Sequence, residues 1–339
     1  MLSDSASGPR FGRRTLLRAG LTAVAGTPAV AALLSSCDAG YAGDSDPLLP
    51  LLTAARTDVA AAKNLPDSGS AAGVAQTIVE VRGEHAEVLQ AEIDRMNRPL
   101  PHQQSAPTTN VSTLAQLAPR LSSTHHQAVS LVPELPKYRA AVVGSVAAGC
   151  AGLQQLSPHL EPADSSEATG DSEETGDSED SGNAPTDITA DEAAELGDEA
   201  RNALQTALAA EYAASWVYDF ATAYLPAPFG KSVERGRSVH QRLARNTRRL
   251  LTAAGAEPEP RQAAYVPDNR VNDKAGAMRT IVTAESDTSR SWRGVLARTE
   301  DAALRTGAAR ALSAAARRVT PWRVEAEIDP IVVSLPGKS

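Results

Sequence analysis

The chain has 339 residues, 42% of them hydrophobic, and a formal net charge of −8 at neutral pH. This length suffices for two domains of ordinary size, and two cysteines are too few for a disulfide framework, so stability must come from packing. The sequence contains no nucleophile–base constellation, phosphate-binding loop or CxxC motif, so a non-catalytic protein is the leading interpretation and an enzymatic role stays open. Alternation of polar and apolar residues is missing, which predicts an all-α fold.

The first element in chain order is an N-terminal targeting segment. Positions 12–18 read Gly-Arg-Arg-Thr-Leu-Leu-Arg and contain the pair Arg13 and Arg14. The apolar run at 19–34 has 16 residues, fewer than the roughly 20 that a membrane-spanning helix needs. It ends in small residues before Cys37, which is the layout of a cleaved signal.

Two resemblances assign this segment to an export pathway. Positions 12–18 resemble a twin-arginine export signal, and Leu-Ser-Ser-Cys at 34–37 resembles the lipobox of bacterial lipoproteins. The lipobox resemblance implies a diacylglyceryl group on the Cys37 thiol and removal of residues 1–36. Two acyl chains give stable membrane attachment, so we expect a lipid-anchored protein on the extracytoplasmic face of the cell membrane. Nucleic acid is then excluded as a partner; the alternative is a plain secretory signal with an incidental cysteine.

Composition divides the remaining chain into modules. Residues 37–46 form a tether, 47–160 a helical N-terminal module, 161–189 an acidic linker, 190–325 a four-helix bundle, and 326–339 a tail. Residues 161–199 contain 15 acidic side chains and no Lys or Arg, and the low hydrophobicity of 161–189 predicts disorder. Predicted helices span 47–63, 71–97, 113–135 and 138–156, then 190–225, 229–254, 274–299 and 301–322. Whether the two helical halves pack together is left open.

Three polar residues interrupt the apolar stripes of the C-terminal helices. With steps of three and four residues, the stripe of 190–225 passes through Glu211, that of 229–254 through His240 and that of 274–299 through Glu285. Counted from the turn near residue 227, Glu211 and His240 differ in depth by about one helical turn. If the long 255–271 link crosses the bundle, Glu285 falls in the same layer. The stripe of 301–322 includes Arg318 but no carboxylate or imidazole.

This pattern resembles the ferritin-like bundle, which has two hairpins, a long crossover and inward Glu and His side chains. The residues that carry the resemblance are Ala-Leu-Ala-Ala-Glu at 207–211, His240 with its trailing arginines, Gly-Ala-Glu-Pro at 255–258, and Glu285 with Trp-Arg at 292–293. They are similar to a ferritin-like domain family of unknown function found in exported lipoproteins of high-GC Gram-positive bacteria. The resemblance implies a fold and a compartment but no known activity.

The metal chemistry of such bundles is only partly matched. A di-iron centre needs Glu-x-x-His pairs, but Arg237 stands three residues before His240, and the fourth helix supplies no ligand. We therefore expect that no cofactor binds here. Instead, Glu211, His240 and Glu285 form a buried hydrogen-bonded network, and Arg237 supplies its positive charge. A single Zn or Fe ion on Glu211, His240 and Glu285 is the alternative; a third possibility is that the three residues do not meet.

The leading function is therefore a non-catalytic binding or envelope-organising lipoprotein of unknown ligand. The alternative is a metal-binding or metal-dependent redox protein that uses the Glu/His/Glu site. The arginines of 229–254 are interpreted as a solvated helix face, with the acidic linker folded onto them, or an anionic envelope polymer or lipid headgroup, as alternatives. The aromatic residues of 212–224 are interpreted as packing against the N-terminal half, and a surface for an envelope protein or a ligand is the alternative. His85 and Cys150 are interpreted as buried core residues.

Overall fold

The computed structural model describes residues 45–65, 69–96, 111–161, 189–267 and 269–338. The predicted export arginines Arg13 and Arg14, the lipidation site Cys37 and nearly all of the predicted linker lie outside these ranges. The described residues from Ser45 onward form one compact unit.

Nine α-helices fall within the described residues, and no strand does. They are α1 (Leu49–Lys63), α2 (Ser70–Arg95), α3 (Ala118–Leu131), α4 (Lys137–Leu153), α5 (Ala190–Ala194), α6 (Asp198–Ala221), α7 (Gly230–Ala253), α8 (Lys274–Leu296) and α9 (Ala302–Glu325). The prediction of an all-α fold is confirmed over these ranges. None of the nine is both long and apolar enough to cross a membrane.

Local sequence signals account for the helix ends. The Asp273 and Asp301 side chains cap α8 and α9 by accepting hydrogen bonds from backbone N–H groups three residues on. Gly255 follows α7 with a φ of +71°, which favours glycine. The predicted helix over 190–225 is divided, because Thr189 forms a capping box for α5 and Gly197 has extended backbone before α6.

Helices α6 to α9 form a bundle of two antiparallel hairpins joined by a long crossover. One buried cluster unites the end of α6, the start of α7, the start of α8 and the end of α9, through Tyr218, Val233, Ile281 and Trp322. Helices α7 and α8 therefore run in the same direction, opposite to α6 and α9. The connection from Gly255 to Asp273 consequently crosses the bundle from end to end, which is the condition for Glu285 to lie in the layer of Glu211 and His240.

The two predicted halves pack against each other through α4, which contacts α8 and α9. Fourteen of the 17 residues of α4 are buried, and most of them are small. Gly144 lies where α4 meets α8, and a Cβ there would have to displace the end of the Leu296 side chain. Cys150 is fully buried on the same helix, as expected.

Residues 326–338, predicted as a tail, lie against the helices rather than away from them. Val332 and Leu335 are buried. The Ser145 hydroxyl donates to the carbonyl of Pro336 at 2.8 Å, and Nε2 of His85 bonds the carbonyl of Ser334 at 2.6 Å. The segment thereby links α9 to α2 and α4.

Candidate functional site: a buried ionic layer in the bundle

Each helix of the bundle contributes one ionisable side chain to a single layer. Glu211 comes from α6, His240 from α7, Glu285 from α8 and Arg318 from α9. The first three side chains have no exposed surface, and Arg318 is 15% exposed. Glu211, His240 and Glu285, which the spacing places at similar depth, are thus brought together.

His240 bridges the two carboxylates. Its Nδ1 lies 2.6 Å from Oε2 of Glu211, and its Nε2 lies 3.0 Å from Oε1 of Glu285. Because ionised carboxylates only accept hydrogen bonds, both ring nitrogens must donate, and the ring is an imidazolium. Burial would lower the pKa of His240, but Glu285 and Glu211 outweigh burial and raise the pKa above its usual value.

Glu285 is held as a carboxylate by donors from three helices. Arg318 donates to both of its oxygens, from Nε at 2.9 Å and from Nη2 at 3.1 Å. The Tyr218 hydroxyl donates to Oε1 at 2.8 Å. Burial acts to raise the pKa of Glu285, but the charges of Arg318 and His240 prevail and lower it to about 2.

Glu211 completes the layer. Its Oε1 accepts a hydrogen bond from Nε1 of Trp292 at 2.6 Å, and its Oε2 accepts from His240. With two carboxylates, one imidazolium and one guanidinium, the four ionisable groups have no net charge. A balanced and hydrogen-bonded set is the form in which charges are tolerated in a protein interior.

An aromatic cluster closes the layer on the side of the α6–α7 turn. Nε1 of Trp322 donates to the Tyr218 hydroxyl at 3.1 Å, and the Tyr218 ring centroid lies 5.4 Å from that of His240. Gly236 lies against the face of the Tyr218 ring, where a Cβ would overlap ring atoms. The glycine of α7 is therefore part of the layer's construction.

The expectation that Arg237 supplies the positive charge is wrong. Arg237 binds Asp219 at 3.0 Å, and the two side chains are 40% and 43% exposed. Three residues before the inward-facing His240, Arg237 lies on the flank of α7, where it meets the surface of α6. Arg318 supplies the charge instead, from the apolar stripe of α9.

The donor set does not fit a metal ion. Both nitrogens of His240 and all four carboxylate oxygens of Glu211 and Glu285 already accept or donate hydrogen bonds within the layer. The guanidinium of Arg318, bound to both oxygens of Glu285, would also repel a cation. Among the described residues, no group of three or more His, Cys, Asp or Glu side chains could hold a metal ion.

Two further predicted features occupy the remaining surface and core. The neutral ring of His85 is fully buried, where Arg82 donates to its Nδ1 at 2.9 Å. On α6, the Trp216 and Phe220 rings stack with centroids 5.0 Å apart. The Phe220 ring centroid also lies 5.3 Å from that of Tyr224, which follows the helix.

The outer face of α7 carries a basic ridge that makes no ion pair with the described residues. Its members fall within an arc of about 80° over about 27 Å of helix, and they are Lys231, Arg235, Arg242, Arg245 and Arg249. Arg237, on the flank of the same helix, is neutralised by Asp219 and does not belong to the ridge.

Sequence reasoning missed three members of the layer, namely Arg318, Tyr218 and Trp292. A signal for each was present, because Tyr218 shares the apolar stripe of Glu211, Trp292 shares that of Glu285, and Arg318 lies on the stripe of α9. A lone arginine on an otherwise apolar stripe, facing two inward carboxylates, indicates a buried ion pair.

Comparison with known proteins identifies a domain but no activity. Residues 203–339 match the family described as a domain of unknown function, DUF4439. The match contains the whole ionic layer and the 326–338 segment. A crystal structure of a conserved hypothetical protein from Mycobacterium tuberculosis is 30% identical, covering 40% of this chain and 95% of that chain, with a TM-score of 0.37. No curated protein matches the chain.

Proposed function

We propose that this chain, which carries a DUF4439 domain at residues 203–339, is an exported lipoprotein anchored through Cys37 to the outer face of the cell membrane. Its C-terminal helices form a ferritin-like bundle that serves as a non-catalytic scaffold for binding or for organising the envelope. The arginine pair Arg13 and Arg14 directs export, and residues 1–36 are removed.

Topology supports the ferritin-like assignment. Helices α6 and α7 form one hairpin and α8 and α9 the other, and the connection between them crosses the bundle. Ionisable side chains from all four helices project inward at one depth, which is where ferritin-like proteins build their metal sites.

The observation that carries the non-catalytic assignment is the position of Arg318. Its guanidinium binds both oxygens of Glu285. A fixed positive charge therefore compensates the inward carboxylates, a task that a metal performs in the ferritin-like metalloproteins. Every carboxylate oxygen of Glu211 and Glu285 and both ring nitrogens of His240 are hydrogen-bonded within the layer. The layer therefore stabilises the bundle and leaves no open position for a substrate or for oxygen.

Metal content tests the scaffold assignment. We expect the full chain, purified from membranes without a chelator, to contain no stoichiometric metal and to keep its melting temperature with EDTA or added Zn²⁺. Stoichiometric metal in this protein that is lost in a Glu211→Ala/His240→Ala variant would instead make the layer a working metal site. Should that variant not fold, a melting temperature of the parent that EDTA lowers and Zn²⁺ restores would equally identify a metal site.

Membrane attachment is tested on the two cysteines separately. We expect Cys37→Ser to abolish incorporation of a labelled fatty acid and to release the protein from the membrane fraction. Cys150→Ser is the matched control, because Cys150 is fully buried and should leave labelling and attachment unchanged. Equal labelling of the parent and Cys37→Ser would rule out the lipoprotein assignment.

The basic ridge of α7 supports an anionic envelope polymer as the ligand of this scaffold. Five cations without ion-pair partners among the described residues provide a surface for a polyanion. We expect the chain to co-sediment with a long-chain anionic polymer, such as polyphosphate. High salt should abolish this co-sedimentation. An Arg242→Gln/Arg245→Gln/Arg249→Gln variant should bind less, whereas Arg237→Gln should not. Stronger polymer binding after deletion of residues 161–187 would identify the acidic linker as a competitor for the ridge.

A further inference from the structure

A cavity lies between α8, α9 and the 332–338 segment, and none of the four charged residues of the ionic layer lines it. Its volume is about 160 Å³, well below the roughly 300–1,000 Å³ of sites for drug-sized molecules. Three cations line it, together with hydroxyl groups of α8 and α9; these residues are Arg290, Arg323, Lys338, Ser286, Ser289 and Thr320. No carboxylate lies among its lining residues.

The positive charge of this cavity is only weakly compensated. Arg290 pairs with Asp287 one turn earlier on α8, but the two side chains are 58% and 46% exposed, so the pair contributes little. Arg323 makes one hydrogen bond, from Nη1 to the carbonyl of Pro330 at 3.0 Å. Lys338 forms no ion pair with the described residues. Among the described residues, three cations and no anion line this cavity, which favours a negatively charged ligand.

Arg323 also has a donor that the protein does not use. Its Nε is buried and has no hydrogen-bond partner. A buried donor without an acceptor is energetically unfavourable. Burial without an acidic partner lowers the pKa of Arg323, which is the effect that a bound anion would reverse.

The wall formed by the 332–338 segment is fixed in place. Gly337 has a φ of +79° and lies so close to α8 that a Cβ would overlap the carbonyl of Ser289 and the Arg293 side chain. On the other side, the carbonyls of Ser334 and Pro336 accept hydrogen bonds from His85 and Ser145. Lys338 is therefore held at the rim rather than on a free tail.

We propose that this cavity binds a phosphate-type oxyanion, either free phosphate or the phosphate group of a lipid headgroup, between Arg290, Arg323 and Lys338. Charge-assisted hydrogen bonds from guanidinium groups suit phosphate oxygens, and Lys338 adds a point charge. The small volume selects the phosphate group itself and leaves any attached carbon chain outside. The site is separate from the ionic layer and does not depend on the scaffold assignment.

Binding of inorganic phosphate to the full chain tests the proposal. We expect isothermal calorimetry to show saturable binding, and the melting temperature to rise with phosphate beyond the effect of sodium chloride at equal ionic strength. Arg323→Gln should weaken binding at least about tenfold, the effect of losing a charged hydrogen bond. Lys338→Gln, at an exposed position, should weaken it without affecting the fold.

Arg298→Gln is the matched control, because Arg298 lies in the turn just after α8, outside this cavity, and donates to the carbonyl of Gly294 on α8. Phosphate binding should be unchanged in this variant. Absence of a phosphate effect beyond that of chloride would overturn the proposal. Equal phosphate affinity in the parent, Arg323→Gln and Lys338→Gln would overturn it as well.

Vesicles distinguish the two sources of phosphate. The full-length Cys37→Ser chain, which has no acyl anchor under the lipoprotein proposal, is mixed with vesicles of phosphatidylcholine alone or with added phosphatidic acid. Binding to phosphatidic acid that Arg323→Gln abolishes identifies a headgroup site. Binding of inorganic phosphate without such vesicle binding identifies a free-ion site.

Discussion

Replacing Arg318 by methionine should destabilise the protein by about 3 kcal/mol at neutral pH. Methionine keeps much of the side-chain volume, so the change removes mainly the charge that binds both oxygens of Glu285. Although burial opposes it, Arg318 with His240 lowers the pKa of Glu285 from 4.5 to about 2. About 2.5 pKa units at about 1.4 kcal/mol each give roughly 3.5 kcal/mol for Arg318 and His240 together, which sets the order of magnitude of the expected loss. Removing one partner of a buried ion pair typically costs about 3–5 kcal/mol, which agrees in size.

The control for this prediction is Arg237→Met, which breaks the pair with Asp219 on the surface. Because both side chains of that pair are about 40% exposed, its loss should cost less than about 1 kcal/mol. Urea unfolding followed by circular dichroism gives both values.

A double-mutant cycle isolates the buried pair. Arg318→Met/Glu285→Gln should be more stable than Arg318→Met alone, because the glutamine carries no unpaired charge. Equal losses of unfolding free energy for Arg237→Met and Arg318→Met would refute the reasoning. A double variant less stable than Arg318→Met would refute it as well.

Two other predictions concern buried groups outside the ion pair. Burial is the largest cause that lowers the pKa values of His85 and His125 from 6.5 to about 3, so the unfolded chain binds two more protons near pH 5.5. Stability should therefore fall with falling pH by about 2.5 kcal/mol per unit there, and His125→Gln should halve this slope in urea titrations at several pH values. Gly236→Ala should lower the free energy of unfolding by about 1–3 kcal/mol, because the alanine Cβ would overlap the Tyr218 ring. Gly230→Ala, with no neighbouring atom within 4 Å, should be neutral or slightly stabilising; similar melting temperatures for the two glycine variants would contradict the overlap.

Much of the fold follows from local sequence signals. Apolar periodicity and caps such as Asp273 and Gly255 locate helix ends to within a few residues, because these signals act within one or two turns. The depth of Glu211 relative to His240 follows from counting residues on either side of a tight turn. These quantities need no knowledge of how distant helices pack.

The features that the sequence does not predict depend on packing between distant segments. Arg318 lies 33 positions from Glu285, and their contact depends on the register of α9 against α8, which the stripes do not specify. Arg237 is close to His240 in sequence, but helix geometry directs it to the surface. The position of residues 326–338 depends on small residues of α4, whose lack of side-chain volume gives no periodic signal.

The contact between His85 and Ser334 joins residues 249 positions apart, and Val332 belongs to the same buried cluster as Ile78 and Leu153. During synthesis, helices α1 to α4 therefore leave the ribosome well before the residues that complete their core. The N-terminal helices cannot reach their final packing until residues 332–335 have been made. Assembly of the two halves is thus one late, coupled event, and loss of the 332–335 residues would leave the first helices with an exposed apolar surface.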